Sequence, residues 1–436
     1  MKALIINVTD DEISFINENF ELGSINWSDQ YDWTREQISI NELGPKPNNF
    51  TQILSFGDFI YLKIDNNLYT LDQIPNVESS LISINPNYGD VIAYVGGKNF
   101  NESNFDRVRL SFPQTGSSFK PFIYSSSLAS GYNLSSLIND APIVFEDENL
   151  ESEWRPQNYT GEFYGPISIR DALVKSVNIV SIKLLRELGI ENSHEYLKNF
   201  GFKKSRLPKD LSLALGSGNF SPAEMVRAYS VIANGGFIPD IHFIHSIKDM
   251  DGNNIFSQNE YEIQFNNQNI SAFPWLDTIE MNAKRPYHVL NPLNNKEKVI
   301  DERVSFLMAD TLKGFMKNGV AGRKSEFLKR DDIGGKTGTT NDSISTWFSG
   351  FHKDLVTTVW VGTDDFTSLG EDEYGSTIAL PIWLNYMDFK LKSLDISKEE
   401  IPENISFVRV NKNTGEIETE SSENTYFELF LEENIN

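Results

Sequence analysis

Residues 333–362 read IGGKTGTTNDSISTWFSGFHKDLVTTVWVG, and this stretch decides the fold. Three β-prone runs, 333–340, 345–351 and 355–362, follow one another across short turns, as antiparallel neighbours do. Far upstream, 81–84 and 91–95 flank Asn85-Pro86-Asn87-Tyr88-Gly89-Asp90, the turn chemistry of a hairpin. Between the two sets of strands the pattern is helical. One helix is predicted over 117–129, stopping at Gly131; another spans 168–189, interrupted at Ser176-Val177-Asn178. Ser221-Pro222-Ala223-Glu224 is a capping box with proline at the first helical position, and Asn234-Gly235-Gly236 closes that helix. Residues 301–317 are amphipathic, with Val304, Leu307, Met308 and Leu312 on one face, and 378–391 are helical again. Strands at both ends with helices between predict an α+β body: an antiparallel sheet joined from both termini, with a helical insertion.

Outside that body the chain reads differently. Short β-prone runs at 3–8, 12–17, 53–54 and 59–64 suggest a small all-β barrel or sandwich, OB-like, followed by a connection at 71–77 centred on Pro75. At the other end, 407–410 are β-like and the remainder is polar and acidic; 259–298, rich in Asn and Pro, take no assigned element. The expected divisions are a small β domain at 1–75, the main body at 76–395 and an extension at 396–436.

Composition sets limits. With 38 Lys+Arg against 62 Asp+Glu the formal charge is −24, which disfavours a nucleic-acid binder needing a basic face. There is no cysteine, so disulfides, thiolate metal sites and a cysteine nucleophile are excluded. The longest apolar run, 378–384, is too short to span a bilayer, and the N-terminus turns polar at Asn7, too early for a signal-peptide core.

Three short motifs carry chemistry. Ser117 and Lys120, three apart at a helix start, lie one turn apart on one face. A serine hydroxyl needs a nearby base to become a nucleophile, and a lysine serves only if burial or a second cation lowers its pKa. No other lysine has a serine three residues before it. In Lys336-Thr337-Gly338-Thr339-Thr340, a cation and hydroxyls beside a glycine suit a strand edge that binds a carboxylate. A phosphate-binding loop is excluded there, because its first glycine would fall at Arg330. Ser176-Val177-Asn178 is weak alone, since Ser-x-Asn recurs, with Ser217-Gly218-Asn219 the credible decoy; position 176 is preferred because it breaks a helical pattern between the other two motifs. No metal spacing is found: His242 and His245, three apart in a β-like run, read as ordinary strand. The acidic clusters 146–153, 364–365 and 371–373 read as solvated surface, and no cofactor is signalled.

Ser-x-x-Lys, a Ser-containing triplet and Lys-Thr-Gly, in that order, resemble the set used by penicillin-recognising serine acyl-transferases. The chain is similar to the C-terminal part of class A penicillin-binding proteins, including at Ala93-Tyr94-Val95-Gly96-Gly97, 159–166 (YTGEFYGP), Ala214-Leu215-Gly216-Ser217, 228–236 (AYSVIANGG) and 346–362 (TWFSGFHKDLVTTVWVG). The resemblance implies the penicillin-binding, β-lactamase-like transpeptidase fold, with helices on both faces of the sheet and an OB-like domain before it. It also implies a serine D,D-transpeptidase acting on peptidoglycan stem peptides and acylated by β-lactams; a serine β-lactamase, a D,D-carboxypeptidase, and a non-catalytic sensor or scaffold are the alternatives.

On the same resemblance Ser117 is the nucleophile, Lys120 the proton acceptor and Ser176 a proton relay. Asn178 holds a substrate amide; Lys336, Thr337, Gly338 and Thr339 form the carboxylate-binding strand; the backbone N–H groups of Ser117 and Thr339 form the oxyanion hole. Thr115 stands where many relatives have proline. Class A members begin with a membrane anchor and a glycosyltransferase domain, and nothing here matches either. The expectation is a truncated chain, a fragmentary gene or a stand-alone transpeptidase, working at the periplasmic face of the inner membrane, where regulators of longer relatives would meet the β domain.

Overall fold

A computed structural model describes residues 1–65, 68–144, 154–257, 297–398, 400–420 and 423–435. The unassigned segment 259–298 and the acidic cluster 146–153 fall almost wholly outside them. The chain forms two compact units: Met1–Glu78 with Asp342–Ile344 and Gly362–Glu373, and Ser79–Asn341 with Ser345–Val361 and Tyr374–Asn436.

The smaller unit is built on β1 (Lys2–Val8), β2 (Glu12–Asn17), β3 (Leu22–Asn26), the short pair β4 (Gln37–Ser39) and β5 (Glu42–Leu43), β6 (Phe59–Asp65) and β7 (Leu68–Asp72). Five of these form one sheet in the order β3-β2-β1-β6-β7. The period-2 alternation of strands explains its inner face: Ala3, Ile5, Ile13, Phe15, Ile60 and Leu62 point inward around Tyr31 and Phe50. Residues 53–54 are not a strand; they follow a 3₁₀ turn at Phe50–Gln52 capped by Asn49. Nor is 71–77 wholly a connection, because β7 runs to Asp72. The loop Gly362–Glu373 joins this unit, where the Glu371 N–H donates to Asn41 Oδ1 at 2.8 Å.

The larger unit starts with the expected hairpin, β8 (Glu78–Ile84) and β9 (Val91–Val95). A 3₁₀ turn at Gly116–Phe119 leads into α1 (Lys120–Ala129), in which every residue from Lys120 to Leu128 is buried. A helix buried all round lies at the centre of its domain. The paired strands β10 (Leu137–Asp140) and β11 (Gly165–Ser168) precede α2 (Ile169–Val174), α3 (Asn178–Leu188), α4 (Ile190–Leu197) and α5 (Pro222–Ala233). The α5 capping box is present in full, Ser221 and Glu224 each bonding the other's backbone N–H. After β12 (Ser246–Lys248) and β13 (Asn254–Ser257) come α6 (Glu302–Asn318), α7 (Gly322–Ser325), β14 (Gly334–Thr339), β15 (Ser345–His352), β16 (Leu355–Gly362) and α8 (Ala379–Leu391).

The main sheet has the order β14-β15-β16-β8-β9, so strands from both ends of the unit meet and β14 is an edge. Adjacent residues of β15 serve opposite faces: Trp347 packs into the helical core with Phe119 and Tyr229, while Phe348 packs against Trp383 of α8. The C-terminus differs from the polar end expected of it. Thr425–Leu431 form β18, paired along its length with β17 (Ile405–Asn411). The acidic residue that obscures this strand, Glu428, is buried and accepts two 2.7 Å hydrogen bonds from Arg170 of α2. Removing Arg170 would leave the buried Glu428 carboxylate without its guanidinium partner.

Candidate active site

Three elements bring the sequence-predicted residues together. Lys120 begins α1, Ser176 sits in the three-residue break between α2 and α3, and Lys336 lies on β14. The break is a strained one: Ser176 has φ +60°, a region costly for a residue with a Cβ. That turn sends both the carbonyl and the hydroxyl of Ser176 toward Lys120. The Lys120 Nζ donates to Ser176 O at 2.6 Å and to Asn178 Oδ1 at 2.7 Å, and lies 3.4 Å from Ser176 Oγ. From the sheet side, Lys336 Nζ donates to the same Ser176 Oγ at 2.9 Å and to Thr337 O at 3.1 Å. One hydroxyl is therefore shared by two amines.

Both lysine side chains are fully buried. Among the described residues neither forms an ion pair; their partners are carbonyl, amide and hydroxyl oxygens. Burial without an anion disfavours the charged form. It pushes Lys336 down to about 7, and lowers Lys120 well below its usual value, with the nearby Lys336 charge adding to the effect. A neutral Lys120 amine has two N–H donors, which Ser176 O and Asn178 Oδ1 satisfy, and one lone pair that those acceptors leave unused. Lys336 lies over the Phe315 ring at 4.7 Å, a contact that favours its charged form, and has no anion beside it among the described residues.

Ser117 lies in the 3₁₀ turn, half-buried, and its hydroxyl makes no hydrogen bond to the described residues. The turn is pressed against β14. A Cβ on Gly338 would come within 2.4 Å of Thr115 O and 2.9 Å of Ser118 Oγ, so only glycine lets the strand close on it. Thr337 is buried, and Thr339 Oγ1 accepts from the Gly375 N–H at 3.0 Å.

Residues 80–388 match the family described as "Penicillin binding protein transpeptidase domain", and residues 1–77 match "Penicillin-binding protein OB-like domain". The chain belongs to the penicillin-binding protein family. It is 38% identical to penicillin-binding protein 1A of Pseudomonas aeruginosa over 99% of this chain and 54% of that protein. Against penicillin-binding protein 1A of Escherichia coli K12 it is 34% identical, over 92% of this chain and 52% of the relative. The chain thus spans about half the length of these curated relatives. The crystal structure of penicillin-binding protein 1A from Haemophilus influenzae superposes with a TM-score of 0.80 at 30% identity, covering 99% of this chain and 62% of that one. The transpeptidase fold and the OB-like domain expected from the sequence are therefore both present. No helix among the described residues is long and apolar enough to cross a membrane.

Within this penicillin-binding protein the decoy triplet has a different task. Gly216 O accepts the Gly116 N–H at 3.0 Å, Gly218 O accepts the Thr115 N–H at 3.2 Å, and Asn219 bridges to Gln114. Trp347 Nε1 donates to Gln114 O at 2.8 Å from the other side. Segment 114–116 is braced by backbone contacts, and the Ser217 side chain turns to Ser212 Oγ at 2.6 Å instead.

Two positioning residues escape sequence reasoning. Asn158 is buried; its Oδ1 accepts from the Asn178 N–H at 2.9 Å, and its Nδ2 donates to both oxygens of buried Asp140, at 3.0 and 2.8 Å. Asn158 fixes the first turn of α3, which carries the Asn178 side chain. Its only sequence signal is its place just before the stretch beginning at Tyr159.

Proposed function

We propose that this chain is a serine D,D-transpeptidase that cross-links peptidoglycan stem peptides and is acylated by β-lactams. The observation that carries the reading is the Ser176 hydroxyl shared between two buried lysines. Ser117 Oγ adds to the carbonyl carbon of the penultimate D-alanine, and its proton passes to the neutral Lys120 amine. The oxyanion is held by the backbone N–H groups of Ser117 and Thr339. When the C–N bond breaks, the leaving amine takes a proton through Ser176, and an ester to Ser117 remains. An incoming amine then attacks the ester, forms the new amide and returns the serine hydroxyl. A β-lactam follows the first half, but its leaving amine stays tethered.

The charged Lys336, with Thr337 and Thr339, receives the terminal carboxylate, which supplies the anion this buried cation lacks among the described residues. Gly338 keeps the edge of β14 open to an extended peptide added as a further strand. Asn178 holds a substrate amide while anchoring Lys120. The solved PonA1 protein from Mycobacterium tuberculosis in complex with penicillin V shares this fold, with a TM-score of 0.57. The substrate class suits the periplasmic face of the bacterial inner membrane, where regulators of longer relatives would meet the OB-like unit.

The test is covalent labelling by a fluorescent penicillin, with mass spectrometry of the modified peptide. The expected adduct is on Ser117, is long-lived, and disappears in Ser117→Ala. Labelling that survives the substitution removes Ser117 from its role; an adduct that turns over within seconds indicates a β-lactamase instead.

A further inference from the structure

One cluster of side chains converges with no part in acyl transfer. Asp90 ends the turn of the β8–β9 hairpin, and two imidazoles meet one of its oxygens. His242 Nε2 lies 2.9 Å from Asp90 Oδ1 and His245 Nδ1 lies 2.8 Å from the same atom. One ligand atom from each of the three residues falls within 4.8 Å of the other two. In the sheet order β9 is the edge opposite β14, so the cluster is remote from Lys336. The sequence reading of His242 and His245 as ordinary strand fails on a bend at Phe243. In a straight strand residues three apart face opposite ways; the bend turns both rings to one carboxylate.

The backbone holds two of the ligands in place. The Val91 N–H donates to His242 O, and the His242 N–H to Gly89 O, each at 3.0 Å, so the two segments bracket Asp90. Gly89, at φ +85°, permits this approach, since a Cβ there would lie 2.0 Å from Asp240 O. Arg227 steadies the incoming segment, donating to Pro239 O at 2.8 Å and Asp240 Oδ1 at 3.2 Å. Phe243, between the histidines, packs its ring 5.2 Å from that of Tyr94.

The ring geometry suits a cation. His242 Nδ1 lies 3.0 Å from the Asp240 carbonyl, which can only accept, so Nδ1 carries the hydrogen. That contact fixes the ring with Nε2 facing the Asp90 oxygen, and a metal ion between them would be met by both. An Nδ1–H on a backbone carbonyl with Nε2 on the metal is the arrangement metal-binding histidines adopt. Two imidazoles and a carboxylate form a borderline donor set suited to zinc. We infer that Asp90, His242 and His245 form a site for a zinc-class divalent ion, clasping segment 239–245 to the β8–β9 hairpin. The ligand atoms separate to about 3.3 Å for bonds of about 2.0–2.1 Å, and a fourth position is left to water.

The experiment titrates zinc into the tag-free, metal-stripped chain at a pH of about 8, where an ordinary imidazole is neutral. The expected result is one equivalent bound at micromolar or tighter affinity, two imidazole ligands by X-ray absorption and a raised melting temperature. Asp90→Asn and the double variant His242→Gln/His245→Gln each lose at least about tenfold in affinity and the melting shift, with the penicillin-labelling rate unchanged. Absence of one-equivalent binding in the wild type overturns the site, as does undiminished zinc affinity in the double variant. Where the double variant fails to fold by circular dichroism, Asp90→Asn, which keeps the side-chain shape, decides by the same criterion.

Discussion

Ser176-Val177-Asn178 and Ser217-Gly218-Asn219 are the same pattern put to two uses. At the first, side chains act: Ser176 is forced to φ +60° so that its carbonyl and hydroxyl both reach Lys120, and Asn178 supplies a third acceptor. At the second, the backbone acts: the carbonyls of Gly216 and Gly218 hold segment 114–116, while Asn219 stays exposed and Ser217 bonds Ser212. A three-residue match therefore says little until it is known whether the side chains or the peptide groups face the site. Strain marks the difference, because only the first triplet holds a non-glycine residue in the left-handed region.

Substitutions at the two triplets and their anchor differ in their expected effects. Ser176→Ala is expected to have the largest effect among the two triplets and their anchor. It removes the hydroxyl that both lysines share, so penicillin acylation falls by about 10²–10⁴-fold, the range of a lost proton-transfer group, with the melting temperature close to wild type. Labelling at the wild-type rate would show that the shared hydroxyl is incidental. Asn158→Ala comes next. It frees the Asn178 N–H and leaves buried Asp140 without its amide donor, at about 1–3 kcal/mol by denaturant unfolding and a smaller loss in acylation. Unchanged stability would remove Asn158 as the anchor of α3. Ser217→Ala should be the mildest, within about 0.5 kcal/mol and with almost no kinetic effect, since the brace is made of main-chain groups. A large kinetic loss there would reverse the assignment of the two triplets.

What was legible in the sequence was local. The capping box at Ser221, the helix break at 176–178 and the meander 333–362 are set by neighbours in the chain, and all stand in the structure. What was illegible depended on distant partners. The strand Thr425–Leu431 looked like an acidic tail because Glu428 is buried only with Arg170 to receive it. The roles of Asn158 and Asp140 come from a contact between residues 18 apart across a loop, where isolated polar residues carry no periodicity. The convergence of His242 and His245 on Asp90 needs a bend and a register 152 residues away, and neither leaves a pattern in the chain. Lys120, Ser176, Asn178 and Lys336, which meet in the structure, each stood out in the sequence, but the lowering of both lysines depends on their burial.

The pH dependence of penicillin acylation reads the division of charge between the two lysines. In the proposed mechanism the productive state has Lys120 neutral and Lys336 charged. In the free enzyme Lys336 carries its proton below about 7 and loses it above, so the second-order acylation constant falls as pH rises through about 7. Below that, the constant falls again on the acid side, once Lys120 takes up its proton. An arginine does not titrate in this range, so Lys336→Arg keeps the acid limb and loses the alkaline one, whatever its absolute rate. An alkaline limb that stays unchanged in Lys336→Arg, or is missing from the wild type, would contradict the assignment of the charge to Lys336.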